Sequence, residues 1–391
     1  MVNDFTFGIS TKVIFGRNAI KNVVPICESR GIAKILIITG RTATKKSPHF
    51  LSLLEQLHLA GMKVQVFSEV EADPSAETVG QGVSLLQETQ ADAIVAFGGG
   101  SPMDAAKSIN MVHANGGSIL DYLYGRRTIT KSGLPLLCIP TTAGTGSEVT
   151  AAAVTSDRQS KQKIGVSHEL MMPSLAIVDP VLHASMPPDV TAATGIDALT
   201  HAVEAFVAVK ANPITDGLAM QAIKLIGSNL RRAYLQGDDL EARSNMAVAS
   251  LIAGAAFTNA GLGAVHGIAH PIGAQFGISH GVANGIMLPY VLDYYRQAGN
   301  AKLRDIAQAL GVDTHELTDQ EAQTAAITAI NTLKKDLSIP ETLGDVQISL
   351  TEIENICKDA ATYRLLPNSP RQLAIEDLRI IVASAFEKSA Q

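Results

Sequence analysis

The apolar positions in the first part of the chain form short dense runs separated by stretches of helical spacing. KILIIT at 34–39 ends at Gly40, KVQVF at 63–67 is a second run, and AIVAF at 93–97 leads into three glycines. LLCIP at 136–140 and LAIV at 175–178 have the same character. Between the first two runs Phe50, Leu53, Leu54 and Leu57 recur at helical intervals, and 77–87 reads as another helix. Strands alternating with helices predict a mostly parallel sheet with helices on its faces. The pattern changes at HASMPPD, 183–189, with its paired prolines. Beyond it the chain is alanine-rich, and 191–210, 216–235 and 240–256 each read as one helix. Segments 310–317 and 346–352 read as connectors. The expected organisation is an α/β nucleotide-binding domain over 1–185 and an all-helical metal-binding and catalytic domain over 186–391.

Composition narrows the possible partners. A chain of 391 residues can bury a large core, and its length favours two domains. Apolar residues make up 46% and charged residues only 17%, which argues against disorder. With 31 Lys and Arg against 37 Asp and Glu the net charge is -6, so the basic footprint of a nucleic-acid binder is missing. No apolar run is long enough to span a bilayer. MVNDFTFGIS lacks the basic-then-apolar order of a secretory leader, so the cytoplasm is the expected compartment. Cys27, Cys138 and Cys357 are scattered and form no CxxC pair, which disfavours a disulfide scaffold or a thiolate metal site.

Two loops carry candidate ligand chemistry. GGGSPMDAAK, 98–107, follows a strand and opens a helix, with Pro102 suited to an early helical position. Glycines let a ligand approach the backbone closely, and a helix start presents unpaired N–H groups to an anion, a pyrophosphate for example. The spacing is neither GxGxxG nor a Walker A loop. PTTAGTGSE, 140–148, also follows a strand, and its hydroxyls can bond phosphate, ribose or carboxamide. Two such loops at successive strand ends suggest a nucleotide crevice.

The helical half carries a second constellation. Asp197 and His201 are four residues apart, His266 and His270 repeat that spacing, and His280 follows a glycine-punctuated stretch. One hard oxygen and several imidazole nitrogens suit Fe(II) or Zn(II) better than Mg(II) or Ca(II). Spacing alone leaves open whether His266 and His270 are both ligands, or whether one binds metal and the other handles protons.

GGGSPMDAAK, PTTAGTGSE, GIDALTHAVE at 195–204 and HGIAHPIGAQFGISHG at 266–281 together resemble the iron-containing, or group III, alcohol dehydrogenase family, over nearly the whole chain. The resemblance implies a dehydroquinate synthase-like architecture with catalysis in the cleft between a nucleotide domain and a helical metal domain. It implies Asp197, His201, His266 and His280 as metal ligands, with iron favoured and Zn(II) or Mn(II) possible. His270 then falls outside the ligand set and becomes the candidate catalytic residue for proton relay. Gly98, Gly99 and Ser101 are implied to hold the pyrophosphate, with Asp104 in the same motif. Thr141, Thr142, Thr145 and Ser147 shape the coenzyme site, and Lys163 and Leu182 lie in segments resembling further contacts.

Two departures from the family pattern stand out. Many members carry an acidic residue after the strand that here ends at Thr39, where it binds the ribose hydroxyls of NAD. This chain has Gly40 and Arg41 there, with Lys45 and Lys46 nearby. Glycine makes room for a 2′-phosphate and arginine can pair with it, so NADP use is expected beside NAD. Near the C terminus, LLPNSPR at 365–371 resembles a family Asn-Pro-Arg turn with an extra serine. The expected reaction is reversible oxidation of a small alcohol or diol to an aldehyde or ketone by a homo-oligomer, a dimer or larger. A hydroxyacid–oxoacid transhydrogenase and a metal-dependent lyase are the alternatives on this scaffold.

Overall fold

The computed structural model describes residues 4–41, 46–299 and 302–387. The chain divides into two compact units, one of residues 9–142 and 146–184, the other of 4–8, 143–145 and 185–387. The first unit contains β1 Lys12–Phe15, β2 Lys34–Gly40, β3 Lys63–Val70, β4 Ala93–Gly98, β5 Leu136–Pro140, β6 Ala152–Asp157, β7 Gln162–Ser167 and β8 Leu175–Val178. Its helices are α1 Val23–Ser29, α2 Pro48–Leu59, α3 Ala76–Thr89, α4 Gly100–Asn115, α5 Ile119–Leu123 and α6 Pro180–His183. Six strands form one parallel sheet in the order β1-β8-β5-β4-β2-β3.

Parallel strands covered on both faces read as unbroken apolar runs. Leu36, Ile38, Ile94 and Ala96 enter one apolar layer, and Ile35, Ile37, Val95 and Phe97 enter the other. The chain winds outward from β2 to β3 and then returns past β2 to β4. Its direction therefore reverses between β2 and β4, and open α/β sheets take ligands at the carboxyl ends flanking such a reversal. Those two ends carry Gly40-Arg41 and Gly98–Ser101.

The antiparallel ribbon of β6 and β7 was not among the expected strands. Its strands are only partly buried and alternate with polar residues, so they lack the dense apolar runs of the central sheet.

The second unit holds α7 Pro188–Val207, α8 Pro213–Leu235, α9 Leu240–Ala260, α10 Ala264–Phe276, α11 His280–Gln297, α12 Lys302–Ala309, α13 Asp319–Asp336, α14 Ile353–Ala360 and α15 Ile375–Ser384. Pro188 stands in the first turn of α7, where its missing N–H has no intrahelical partner to lose. The helix starts three residues before the sequence expectation for that reason, and leaves helical geometry at Ala208. From Gly195 to Val207 α7 is buried without interruption. A helix buried all round is ordinarily apolar all round. Asp197, Thr200, His201 and Glu204 break that rule, and buried polar groups require partners. No single helix among the described residues is long and apolar enough to cross a membrane.

Candidate functional site

The polar groups of α7 find their partners on α10 and α11. Asp197, His201 and Glu204 lie at i, i+4 and i+7, one face of the helix. His266 and His270 sit on α10, and Gly277, with φ of 69°, ends that helix in the left-handed conformation. His280 opens α11. Gly281 lets α11 approach α7 closely, because a Cβ there would stand 2.0 Å from the carbonyl oxygen of Ala193. Asp197, His201, His266 and His280 each place one donor atom within 4.8 Å of the others.

Hydrogen bonds orient this cluster. His201 Nδ1 lies 3.3 Å from the Gly144 carbonyl, and its ring stacks on Phe257 at 4.5 Å. Asn284 Nδ2 donates to Asp197 Oδ1 at 2.7 Å and lies 3.1 and 3.2 Å from Nε2 of His266 and His280. A partially positive amide nitrogen thus sits among lone pairs that also suit a cation. Burial lowers the pKa of His201, and burial with neighbouring imidazoles holds His266 well below the usual range. Neutral imidazoles keep their lone pairs for a metal. The donor set is therefore consistent with Fe(II), Zn(II) or Mn(II).

His270 stands beside the four rather than among them. Its ring centroid lies 5.4 Å from that of His280 and 5.2 Å from Tyr363, edge to face with the latter. Glu204 and Asn284 escaped the sequence reading. The signal for Glu204 was available, since it continues the Asp197–His201 face by one more turn. Asn284 carried none, because its contacts arise only where α11 meets α7 and α10. Asn368, in the departing C-terminal turn, is a staple: its Nδ2 donates to the Ala260 and Leu262 carbonyls just before α10.

The glycine motif occupies the end of β4 and the start of α4. Gly98 has φ of 152°, and a Cβ there would stand 2.7 Å from Pro102 Cγ. Gly99 is the N-cap of α4 without a side-chain cap, so the first helical N–H groups keep their capacity for an anion. Its own Cβ would stand 3.1 Å from Thr142 Oγ1. Thr141 N donates to the Gly98 carbonyl at 2.9 Å, which joins the two loops. The backbone cradle is thus one that side chains would fill, as close approach of a pyrophosphate requires.

The remaining predicted coenzyme residues have distinct settings. Ser101 Oγ accepts from Asp73 N at 3.2 Å, and Lys163 Nζ pairs with Asp73 at 2.7 Å. Asp104 accepts from Ser147 Oγ at 2.7 Å and from Val154 N at 2.9 Å. Thr145 groups with the helical unit, whereas Thr141, Thr142 and Ser147 belong to the α/β unit. Leu182 is buried in an apolar layer beside the sheet. Gly40 closes β2, and Arg41 is half exposed: its Nε donates to the Glu69 carbonyl at 2.9 Å and its Nη2 lies 3.5 Å from Glu71. Glu71 is shared, accepting also from Arg158 at 2.8 Å. Lys46 is exposed, and Lys45 lies outside the described residues.

Lys107 was missed as a contributor. It is fully buried in α4, and its Nζ donates to Ser147 Oγ at 2.7 Å, Thr150 Oγ1 at 2.9 Å and the Ala152 carbonyl at 2.8 Å. Burial lowers its pKa and the Asp104 carboxylate opposes that.

Two family models cover most of the chain. Residues 10–180 match the family model described as iron-containing alcohol dehydrogenase, and 191–386 match the C-terminal model of the Fe-containing alcohol dehydrogenase family. The chain is 42% identical to long-chain-alcohol dehydrogenase 1 of Geobacillus thermodenitrificans, covering 95% of this chain and 94% of that one. It is 38% identical to the NAD-dependent methanol dehydrogenase of Bacillus methanolicus, over 97% and 99%. A crystal structure of 1,3-propanediol oxidoreductase superposes with a TM-score of 0.94 at 38% identity, over 98% and 100%.

Proposed function

The chain belongs to the iron-containing alcohol dehydrogenase family, and from that premise we propose how its residues divide the work. It is a metal-dependent, NAD(P)-linked alcohol dehydrogenase acting on small alcohols or diols. The balanced reaction converts an alcohol and NAD(P)+ to an aldehyde or ketone, NAD(P)H and a proton. When bound, the cation supplies Lewis acidity toward the alcohol oxygen and the coenzyme accepts the hydride.

Asp197, His201, His266 and His280 hold the metal, with Fe(II) as the native ion. The convergence of their donor atoms within 4.8 Å is the observation that carries this reading. His270 takes the hydroxyl proton on a ring nitrogen, a role supported by its place next to His280. Gly98, Gly99, Ser101 and the N–H groups opening α4 bind the pyrophosphate. Thr141, Thr142, Thr145, Ser147 and Lys163 bound the rest of the coenzyme, while Asp104 acts by fixing Ser147 and Leu182 by packing from beneath. Apart from Thr145, the coenzyme residues lie in the α/β unit, and the four metal ligands lie in the helical unit.

NADP is used as well as NAD. Gly40 leaves room beside the ribose, and the half-exposed Arg41 guanidinium is suited to a 2′-phosphate. Self-association is supported by edge strand β1, where Val13 and Phe15 are exposed apolar residues; light scattering on the eluting protein tests it.

Metal-reconstituted protein assayed over a panel of short alcohols, diols and the matching aldehydes, with each coenzyme, tests the function. Alcohol-dependent formation of NADH and NADPH is expected. Turnover without net coenzyme reduction would favour the transhydrogenase or lyase instead.

A further inference from the structure

Glu204 is a buried carboxylate with a demanding set of partners. It lies on α7, its Oε1 accepts from the backbone N–H of Val265 at 2.8 Å and of Gly263 at 3.2 Å, and its Oε2 lies 2.5 Å from His266 Nδ1. The N–H groups of Gly263 and Val265 flank the start of α10 and have no intrahelical acceptor. One oxygen therefore caps α10 while the other faces the imidazole two residues into it.

The proton on that imidazole can be placed from the other side of the ring. A carboxylate only accepts, so Asn284 must present its NH2 to Asp197 Oδ1. Its second proton goes to one of two lone pairs, His266 Nε2 at 3.1 Å or His280 Nε2 at 3.2 Å, and His266 Nε2 is an acceptor when it also faces the metal. A neutral imidazole with a lone pair on Nε2 carries its proton on Nδ1, pointing at Glu204 Oε2.

We propose that Glu204 is a positioning residue for the metal centre: by accepting the Nδ1 proton of His266 while capping α10, it fixes the ring tautomer and rotation that aim Nε2 at the metal. This rests on the reading of His266 as a ligand. An ionised carboxylate meets both demands, because both of its oxygens accept; burial opposes that form and the backbone N–H groups favour it. A glutamine must turn its NH2 either toward the backbone N–H pair or toward Nδ1. In the first case two donors oppose each other. In the second the amide donates to Nδ1, which moves the ring proton to Nε2, where the metal belongs.

The test compares wild type, Glu204→Gln and His266→Ala as full chains, stripped of metal and titrated with Zn(II) against a competing chelator. Glu204→Gln is expected to bind about 10- to 100-fold more weakly than wild type, the usual effect of losing such an outer partner. Its metal-free melting temperature and helical signal should stay close to wild type. Metal affinity equal to wild type would reduce Glu204 to a helix cap and overturn the proposal. Wild type and His266→Ala binding alike would instead remove the ligand reading on which it rests. Nitrogen NMR of 15N-histidine-labelled, metal-free wild type gives an answer that needs no folded variant. His266 in the Nδ1–H form supports the proposal, and the Nε2–H form contradicts it.

Discussion

Lys107 Nζ lies 2.7 Å from Ser147 Oγ, a bond within the α/β unit that ties the helix of the glycine motif to the end of the PTTAGTGSE loop. The ammonium is buried, and its other two protons go to Thr150 and Ala152. Lys107→Met keeps the stem and removes all three bonds. Hydrogen bonds to a charged group contribute about 1.5–3 kcal/mol each in such settings. The expected result is a coenzyme KM raised about tenfold or more, with metal content unchanged, read from steady-state kinetics and metal analysis.

Gly98 is strained for any other residue. At φ of 152° an added Cβ would meet Pro102 Cγ at 2.7 Å, and backbone strain of this kind costs about 1–3 kcal/mol. Gly98→Ala is expected to weaken coenzyme binding by about tenfold or more in calorimetry while the metal site stays intact. Binding at wild-type strength would show that this turn does not carry the pyrophosphate.

The proposed use of NADP rests on Arg41. Arg41→Ala should lower kcat/KM for NADP about 10- to 100-fold, the loss of a charge-assisted bond to phosphate, and change NAD by much less. An equal change for both coenzymes would mean that the guanidinium serves Glu69 and Glu71 alone.

Lys334 gives a stability prediction with a definite pH sign. It is buried in the helical unit, 3.5 Å from the Ile286 and Glu341 carbonyls, and burial lowers its pKa to about 8. Between about 8 and its ordinary value of 10.5 the unfolded chain binds more protons, so this group's contribution to stability rises with pH across that window. Below pH 8 the full cost of burying the charge, a few kcal/mol at most, is present. Lys334→Met should therefore raise the melting temperature at pH 7, with the gain shrinking by pH 10.

The sequence made some of this legible and hid the rest for physical reasons. Parallel strands and buried helices announce themselves through apolar runs, and ligands at i and i+4 are visible on a helix. The order of the sheet, and with it the reversal between β2 and β4, depends on pairings far apart in sequence. Glu204 was readable in principle from its place on the Asp197 face. Asn284, Lys107 and Gly281 were not, because each acts through a contact with another element. The β6–β7 ribbon was lost because half-buried alternation with few apolar residues looks like loop.

We propose that Asp197, His201, His266 and His280 hold the metal on which alcohol oxidation depends. The most direct measurement is metal content together with alcohol-dependent NAD(P) reduction for wild type and His266→Ala, purified and reconstituted side by side. Wild type should bind one ion per chain and turn over, and His266→Ala should lose both. Retention of metal and activity by His266→Ala would rule out this ligand set, and undiminished turnover by metal-free wild type would rule out a metal-dependent reaction.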